Sequence, residues 1–169
     1  MLKVAKLVTT TEELNRLINQ GNFPYISFST YKGFTHVELQ DDEWNKISRV
    51  SIGKNGNILG YFNASAGQSQ EKINGCLFIK FNNSNYELLE EYDEIELDND
   101  FHEFVDMIMN HPIYTRVEFV AIAENPANKT YVKFLEKYNG ERFLMKNYAR
   151  LMDGKLHDVY LYYFDRSVK

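Results

Sequence analysis

Two helix patterns with a strand pattern between them constrain the fold of this chain more than any other feature of its sequence. Each helix pattern repeats apolar side chains at i, i+3, i+4 and i+7. The apolar positions are Phe101, Phe104, Val105 and Ile108 in the first pattern, and Tyr131, Phe134, Leu135 and Tyr138 in the second. Between them, residues 116–124 alternate apolar side chains, as a half-buried strand does. Because amphipathic helices on both sides of a strand bury their apolar stripes on a sheet, the sequence predicts a mixed α/β (α+β-like) fold.

Strand patterns on either side of this unit extend the predicted sheet. Asn55 and Gly56 form a strong hairpin signal, because both residues tolerate positive φ. Asp153 and Gly154 predict a second hairpin near the end of the chain. The predicted strands cover residues 2–8, 25–31, 33–40, 49–52, 58–64, 75–81, 116–124, 141–151 and 157–164. We therefore expect one domain over residues 1–169, with the order strand, helix, irregular part, three strands, helix, strand, helix and two strands.

Polar residues mark the start of each predicted helix. Thr10 and Glu13 have capping-box spacing at the start of a helix over residues 11–20. Asn99 or Asp100 is positioned to cap the second helix. Asn125, which a proline follows, is positioned to cap the third. Residues 67–74 are expected to form a polar loop before an apolar strand that is buried on both faces.

Negative charge is concentrated in one segment of the chain. Residues 81–115 hold ten of the 24 acidic residues and none of the 19 lysines and arginines. A tract of this kind repels polyanions, so direct nucleic-acid binding is disfavoured. Three interpretations stay open: a solvated loop and helix start, a docking surface for a basic protein, and a mimic of nucleic-acid phosphates.

Other site classes are excluded by what the sequence lacks. Cys76 is the single cysteine, so no internal disulfide or thiolate metal cluster can form, and its apolar strand indicates a core residue. The four histidines lack metal-ligand spacing, so we expect no metal. There is no P-loop, dinucleotide fingerprint or nucleophile elbow. No window approaches the roughly 18 apolar residues of a membrane helix, and no signal peptide is evident, so we expect a cytoplasmic protein without membrane contact.

The end of the chain resembles the GCN5-related N-acetyltransferase (GNAT) superfamily. Residues 125–140, NPANKTYVKFLEKYNG, are similar to the helix after the family's fifth strand, and residues 153–162, DGKLHDVYLY, are similar to its closing hairpin. Residues 59–62 and 76–81 fit the third and fourth strands, as in phage and prophage members. The resemblance covers residues 47–164 and leaves residues 1–46 as a divergent N-terminal part. It implies a GNAT-like fold, in which a meander precedes a strand, a helix, a strand, a helix and a hairpin.

The same resemblance implies a donor and a place for it. Acetyl-CoA or another acyl-CoA would be the acyl donor, and an amine would be the acceptor. Asn125 and Asn128 would contact the pantetheine arm of the donor. Backbone amides of the fourth strand would bind the thioester and polarise its carbonyl. These amides belong to Phe78, Ile79, Lys80 and Phe81.

Catalytic roles follow from the resemblance as well. Tyr131 would protonate the departing thiolate, and Glu118 or Glu124, on the strand at 116–124, would accept the proton of the amine. A plain structural interpretation stays open beside this one. In it, Asn125 is a helix cap, Tyr131 lies on an apolar helix face, and the two glutamates face solvent.

A second function is favoured by local electrostatics. In the family, a glycine-rich loop after the fourth strand cradles the pyrophosphate of the donor, but residues 82–91 hold neither a glycine nor a basic residue. The alternative is a catalytically silent, phage-type scaffold that binds a basic host protein through residues 87–106. Its docking residues would be Glu87, Glu90, Glu91, Asp93, Glu94 and Glu96. A homodimer through exposed aromatic residues such as Tyr25 or Phe28 also stays open.

Overall fold

A mixed sheet of seven strands forms the centre of the computed structural model. The strands are β1 (Leu2–Val4), β2 (Lys46–Ile52), β3 (Ile58–Ala66), β4 (Lys72–Lys80), β5 (Arg116–Ile122), β6 (Glu141–Arg150) and β7 (Leu156–Asp165). The helices are α1 (Thr11–Gln20), α2 (Glu91–Met109) and α3 (Asn128–Tyr138). The order across the sheet is β1-β2-β3-β4-β5-β7-β6. All neighbouring strands are antiparallel except β4 and β5, which are parallel. The structure describes residues 1–20, 25, 37–39, 46–67, 71–81, 91–151 and 153–166.

The predicted fold class and the order of elements along the chain are confirmed. The hairpin signals are confirmed too, with positive φ at Gly56 and Gly154. β1 is shorter than predicted, and a 3-10 turn (Ala5–Leu7) follows it. The predicted strands at 25–31 and 33–40 fall mostly outside the described residues, and residues 37–39 have no regular secondary structure. None of the helices in the described part is long and apolar enough to cross a bilayer.

The sheet separates between β4 and β5. These strands pair only through Lys72 with Arg116 and Ile73 with Val117, close to their N-terminal ends. Beyond these pairs, β4 is paired with β3 and β5 is paired with β7. The resulting wedge-shaped opening between β4 and β5 is called the splay below. Along the splay, each strand presents backbone N–H and C=O groups that have no strand partner in the described part of the chain.

Helices α2 and α3 cover one face of the sheet, called the helix face, through an aromatic core. Phe62, Phe78 and Phe119 of the strands meet Phe101 of α2 and Tyr131 of α3 with ring centroids 5.2–6.2 Å apart. Most of these rings meet tilted or edge-on, which favours each pair by about 0.5–1.5 kcal/mol beyond the burial of apolar area. The helix face is therefore dry and closely packed beside the splay.

Helix α1 covers the opposite face, called the α1 face. Leu14 and Ile18 of α1 pack with Val50, Tyr61 and Ile79 of β2, β3 and β4. All five side chains are 2% exposed or less. Because α1 sits on this part of the sheet, the α1 face of β5, β7 and β6 is less covered, and Val120 there is 49% exposed.

The predicted capping box of α1 forms only in part. The Thr10 hydroxyl accepts the backbone N–H of Glu13 at 3.1 Å, as expected. The Glu13 carboxylate instead accepts a hydrogen bond from the Thr9 hydroxyl at 2.8 Å. One of the two predicted cap bonds is therefore made, and the other is replaced by a bond to the preceding threonine.

Helix α2 begins well before its predicted start. It begins at Glu91, so Asn99 and Asp100 lie inside the helix rather than at its cap. Asp100 is 3% exposed and accepts a hydrogen bond from the Ser51 hydroxyl at 2.6 Å. Leu97, which is fully buried, extends the apolar face of the helix back into the acidic segment. The prediction was wrong because contacts elsewhere in the molecule neutralise the acidic residues that made this segment look like a loop.

Two further boundaries differ from the prediction. β4 begins at Lys72, inside the expected polar loop, because the isolated Ile73 is fully buried in the core. β4 is also only partly buried along residues 75–78, since the splay exposes it. Helix α3 begins at Asn128, and the Asn125 side chain caps the preceding turn by accepting the N–H of Ala127 at 2.9 Å. The end of α3 is as predicted, with Asn139 in the left-handed conformation.

Candidate functional site

A cavity of about 140 Å³ lies in the splay. Residues of β4 and β5 form two of its walls, and α3, the turn before it, β6 and β7 form the others. The described lining residues are Tyr25, Cys76, Leu77, Phe78, Val120, Ala121, Ile122, Asn125, Tyr131, Tyr148, Ala149 and Val159. The splay cavity therefore exists because two parallel strands part after two paired residues, and it lies where unpaired backbone groups are available.

Tyr131 is the most buried polar side chain among the residues predicted to be catalytic. It is 7% exposed, and its ring packs edge-on against Phe119 with centroids 5.2 Å apart. Its hydroxyl has no hydrogen-bond partner among the residues that the structure describes. Burial raises the pKa of Tyr131 well above its usual value, and the neighbouring Tyr162 and Cys76 add to this effect. The result is a protonated hydroxyl on a residue that lines the cavity.

The two predicted asparagines have different surroundings. The Asn128 side chain is 9% exposed, donates to the carbonyls of Ile122 at 2.8 Å and Ala123 at 3.0 Å, and accepts from the Tyr162 hydroxyl at 2.7 Å. Both of its N–H donors thus tie the end of β5 to α3, and its oxygen ties α3 to β7. Asn125 lines the splay cavity and uses its side-chain oxygen for the turn, while its side-chain N–H₂ group has no partner in the described part of the chain.

The two glutamates predicted as bases do not line the cavity. Glu118 is held by Arg116, whose guanidinium lies 2.7 Å from its carboxylate. Glu124 is exposed, and its carboxylate lies 3.5 Å from the imidazole of His157. On the other side of that imidazole, the Asp153 carboxylate lies 3.0 Å away and raises the pKa of His157, with a smaller contribution from Glu124.

Four residues in β4 and directly after it were predicted to bind the thioester through their backbone amides. Their side chains have different surroundings. Phe78 lines the cavity, and Ile79 is buried under α1. Lys80 forms an ion pair with Asp98, and Phe81 is 8% exposed. What these positions have in common is therefore the backbone of β4, which lacks a strand partner on the β5 side as far as Lys80.

Cys76 is at the cavity wall rather than in a closed core. Its thiol contacts the backbone oxygen of Glu118 at 3.9 Å across the splay. Burial raises the pKa of the thiol, with a smaller contribution from Glu118, so the unreactive protonated form dominates. In the described residues no group of three or more His, Cys, Asp or Glu side chains could hold a metal ion.

The residues predicted for an acidic docking surface are placed unevenly. Asp93, Glu94 and Glu96 have described side chains, Glu91 is the first residue of α2, and Glu87 and Glu90 lie outside the described residues. Asp93 is 8% exposed and accepts the backbone N–H of Lys54 at 3.2 Å, so its carboxylate is turned inward. Glu96 contacts the Met1 amine at 2.5 Å, whereas Glu94 is exposed.

Other acidic side chains of α2 are also neutralised inside the molecule. The ion pairs join Asp98 to Lys80, Asp100 to the Met1 amine, and Asp106 to Lys137. Three separate parts of the chain thus supply positive charge to one helix. The net charge of the segment taken alone overstates the negative field that a partner would meet at this surface.

Several cavity residues were not predicted from the sequence. Tyr148 and Ala149 of β6 reach the cavity because the β6–β7 register shifts between Met145 and Ala149, with Asn147 at φ 50°. A bulge of this kind has no clear signal in a strand pattern. Val120 and Ile122 could have been predicted. They alternate along β5 with the predicted core residues and therefore lie on the opposite face of the sheet.

Solved structures match this chain over almost its whole length. An acetyltransferase of the GNAT family from Streptococcus pneumoniae has a TM-score of 0.65 and 17% identity, with 96% of this chain and 97% of that chain covered. The ribosomal-protein-S5-alanine acetyltransferase from Vibrio fischeri has a TM-score of 0.61 and 13% identity, with 99% and 93% covered. A mutant spermidine N-acetyltransferase from Vibrio cholerae has a TM-score of 0.60 and 12% identity, with 99% and 95% covered.

The sequence comparisons add no relative. No protein-family model matches the sequence, and the search of curated proteins finds no match. At the identities of the solved structures, the likeness shows the fold: the chain has the fold of GNAT acetyltransferases.

Proposed function

We propose that this protein is an N-acyltransferase that moves an acyl group from acyl-CoA, most simply acetyl-CoA, to an amine. The observation that carries the proposal is the splay, in which an unpaired edge of β4 borders a cavity lined by the buried Tyr131. The GNAT fold of the matching structures supports the same reaction class, since those named above are acetyltransferases.

The donor fits the backbone that the splay exposes. Residues 74–80 of β4 have no strand partner on the β5 side among the described residues, so the N–H and C=O groups on that edge can pair with an extended chain that carries amides. The pantetheine arm of coenzyme A is such a chain. Asn125, whose side-chain N–H₂ has no partner in the described residues, would contact it from the opposite wall. We do not assign this contact to Asn128, because both of its donors are already used.

Groups of the protein would then act on both the carbonyl and the sulfur of the bound thioester. Bound acyl-CoA supplies a thioester carbon for the amine to attack and a thiolate as the leaving group. Backbone N–H groups of β4 near Phe78 stabilise the negative charge that develops on the carbonyl oxygen. The Tyr131 hydroxyl, kept protonated by its burial, donates its proton to the leaving sulfur.

Removal of the amine proton has no assigned residue in this proposal. Glu118 and Glu124 remain candidates from the sequence, but each is engaged by another side chain and neither lines the cavity. Among the described residues that line the cavity there is no carboxylate and no imidazole. In this proposal the amine attacks in its neutral form, its nitrogen then loses one proton to water, and water returns a proton to Tyr131.

The experiment is a titration of the protein with acetyl-CoA by calorimetry, followed by turnover assays of Tyr131→Phe. We expect a micromolar dissociation constant that the substitution preserves, and a fall in kcat of about 10²–10⁴ because the proton donor is lost. Tyr138→Phe is the matched control, since this residue is on the same helix but bonds Asp106 instead of lining the cavity. A protein that binds no acetyl-CoA at millimolar concentration would exclude the proposal.

The silent scaffold stays the alternative, because residues 82–91 offer neither a glycine nor a basic residue for a pyrophosphate. In that case the protein would be phage-encoded, would work in the host cytoplasm, and would dock a basic host protein through the acidic segment. Replacing the exposed Glu94 with Lys is the direct test. Unchanged capture of every partner by this variant, with coenzyme A bound, would remove the alternative.

A further inference from the structure

An irregular segment of β6, called the β6 bulge below, forms one wall of the splay cavity. From Met145 to Ala149 the β6–β7 register advances four residues on β6 while it advances only two on β7. The two additional residues lie in this segment, where Asn147 has φ 50°. Tyr148 of the bulge and Ala149 directly after it line the cavity. Bulges re-aim side chains in this way next to functional sites.

The side chain of Asp158, on β7, holds the bulge in this shape. Its carboxylate accepts the backbone N–H of Asn147 at 2.8 Å. Within the described ranges this carboxylate makes no ion pair, so its charge is not used to join any of those side chains. The left-handed conformation of Asn147 is unfavourable for a residue with a Cβ atom, and a fixed acceptor for its N–H offsets that disadvantage. The carboxylate therefore selects the conformation of the β6 bulge.

The backbone of the same residue is joined to a second wall of the cavity. The carbonyl of Asp158 accepts the N–H of Ala123 at 2.9 Å. Ala123 directly follows β5 and comes two residues before Asn125, which lines the cavity. One residue of β7 thus contacts the turn before α3 through its backbone and the β6 bulge through its carboxylate. The position of one wall relative to the other depends on Asp158.

The ring of Tyr148 depends on the bulge for its place at the cavity. Its side chain is 64% exposed although it lines the cavity. The part of the chain that the structure describes gives it no ring contact and no hydrogen bond. Packing does not hold this ring against the wall, so the backbone of the bulge determines where it lies. A large ring left uncovered beside a cavity gains free energy when a ligand covers it.

The proposed function brings the acyl end of the donor to this wall. Tyr131 lines the same cavity and would protonate the leaving sulfur, so the sulfur must lie there. The acyl group is bonded directly to that sulfur and therefore lies in the cavity as well. None of the described lining residues is charged, which suits an uncharged acyl group such as acetyl.

We propose that the β6 bulge is the acyl-binding wall of the splay cavity and that Asp158 is its positioning residue. The ring of Tyr148 covers the acetyl group of the bound donor, and the Asp158 carboxylate holds the bulge that presents the ring. This acyl subsite rests on the acyltransferase function proposed above, whose donor it helps to bind. Coenzyme A without an acetyl group cannot make the contact with Tyr148.

The test measures dissociation constants for acetyl-CoA and for coenzyme A by calorimetry, in the native protein and in variants. We expect the native protein to bind acetyl-CoA about fivefold more tightly than coenzyme A, because the ring covers the acetyl methyl group. In Asp158→Ala this ratio should fall to about one, while the constant for coenzyme A stays at its native value. In Asp158→Asn the ratio should be preserved, since an amide oxygen can still accept the N–H of Asn147.

Two further variants separate the placement of the ring from the stability of the hairpin. Tyr148→Ala removes an exposed side chain and leaves Asp158 in place, so it should fold and also lower the ratio to about one. Asp153→Ala is the matched control. The Asp153 carboxylate accepts the backbone N–H of Lys155 at 2.9 Å in the same hairpin but does not line the cavity, so the ratio should keep its native value.

Each contrary result has a separate meaning. A ratio of one in the native protein, or a native ratio in Tyr148→Ala, would overturn the acyl subsite, and the second result decides even if Asp158→Ala does not fold. A native ratio in a folded Asp158→Ala, or an equal loss in Asp153→Ala, would overturn the positioning role of Asp158. Failure of the native protein to bind either ligand at millimolar concentration would instead remove the acyltransferase function itself.

Discussion

The two faces of the sheet carry different chemistry on the same strands. Phe62 and Phe78 point to the helix face, where they meet the rings of α2, while the adjacent Asn63 points to the α1 face and bonds Ser48. The helix face thus holds a continuous aromatic layer, whereas the α1 face combines apolar packing under α1 with buried hydrogen bonds. The difference teaches that the larger apolar core can be built on one side of a sheet while the other side combines a smaller core with polar groups.

The largest test of this comparison is a core truncation on the helix face. Phe104→Ala removes a fully buried ring of α2 that packs on Phe62 of β3 and Phe78 of β4, so we expect the free energy of unfolding to fall by about 3–5 kcal/mol. Urea unfolding measures this loss of stability. Ile95→Ala, on the same helix but 56% exposed, should change stability by less than about 0.5 kcal/mol. A cost below about 1 kcal/mol for Phe104→Ala would contradict the idea that the helix face holds the stability.

A second test concerns a buried polar group whose bonds are structural. Asn128→Ala leaves the carbonyls of Ile122 and Ala123 and the Tyr162 hydroxyl without their partner, and we expect a loss of about 2–4 kcal/mol. Tyr162→Phe removes one of these bonds and should cost about 1–2 kcal/mol. Equal losses for the two variants would mean that the carbonyl bonds contribute nothing. Thermal or urea unfolding of both variants decides.

A third test exchanges the polar groups of the α1 face for apolar ones. Ser48→Ala combined with Asn63→Leu removes both partners of one buried hydrogen bond but leaves the hydroxyls of Tyr61 and Ser65 without theirs, so we expect the free energy of unfolding to fall by about 1–3 kcal/mol. Urea unfolding of this double variant measures the loss. Loss of stability on the scale of Phe104→Ala would show that the polar face is structural after all.

The smallest expected effect is at an exposed ion pair between α2 and α3. Burial acts to raise the pKa of Asp106, but hydrogen bonds from Lys137 and Tyr138 outweigh it and hold that pKa below its usual value of 3.8. The lowered pKa means that the stabilisation is present above about pH 4 and is lost as the pH falls through the folded-state value. Asp106→Asn should remove this dependence and cost less than about 1 kcal/mol at pH 7. Unfolding curves at pH 7 and pH 3 test both statements.

The helix face could be predicted from the sequence because its determinants are periodic. The apolar spacing of Phe101 to Ile108 placed one side of α2 correctly, and alternation along β5 placed Phe119 in the core. The start of α2 could not be predicted, since it depends on distant charges such as Lys80 and the Met1 amine. A local reading of acidic residues has no access to partners that are brought in by the fold.

The residues of the candidate site that belong to a helix or a turn could be predicted. Those that reach the site through strand register were missed. Tyr131 and Asn125 could be proposed from the segment that resembles the GNAT helix, and both line the cavity. Tyr148 and Ala149 could not, because their place at the cavity depends on the register shift between β6 and β7. Glu118 and Glu124 have the carboxylate that a general base needs, but neither lines the cavity.

The two-residue junction between β4 and β5 also bears on how the protein folds. The β2–β3–β4 meander and the β6–β7 hairpin each pair segments that are close in sequence, so each can form early. The junction joins segments separated by the whole of α2 and offers only two strand pairs in return. We therefore expect the two parts of the sheet to assemble separately and to dock late, through the aromatic contacts of Phe78 and Phe101 with Phe119 and Tyr131.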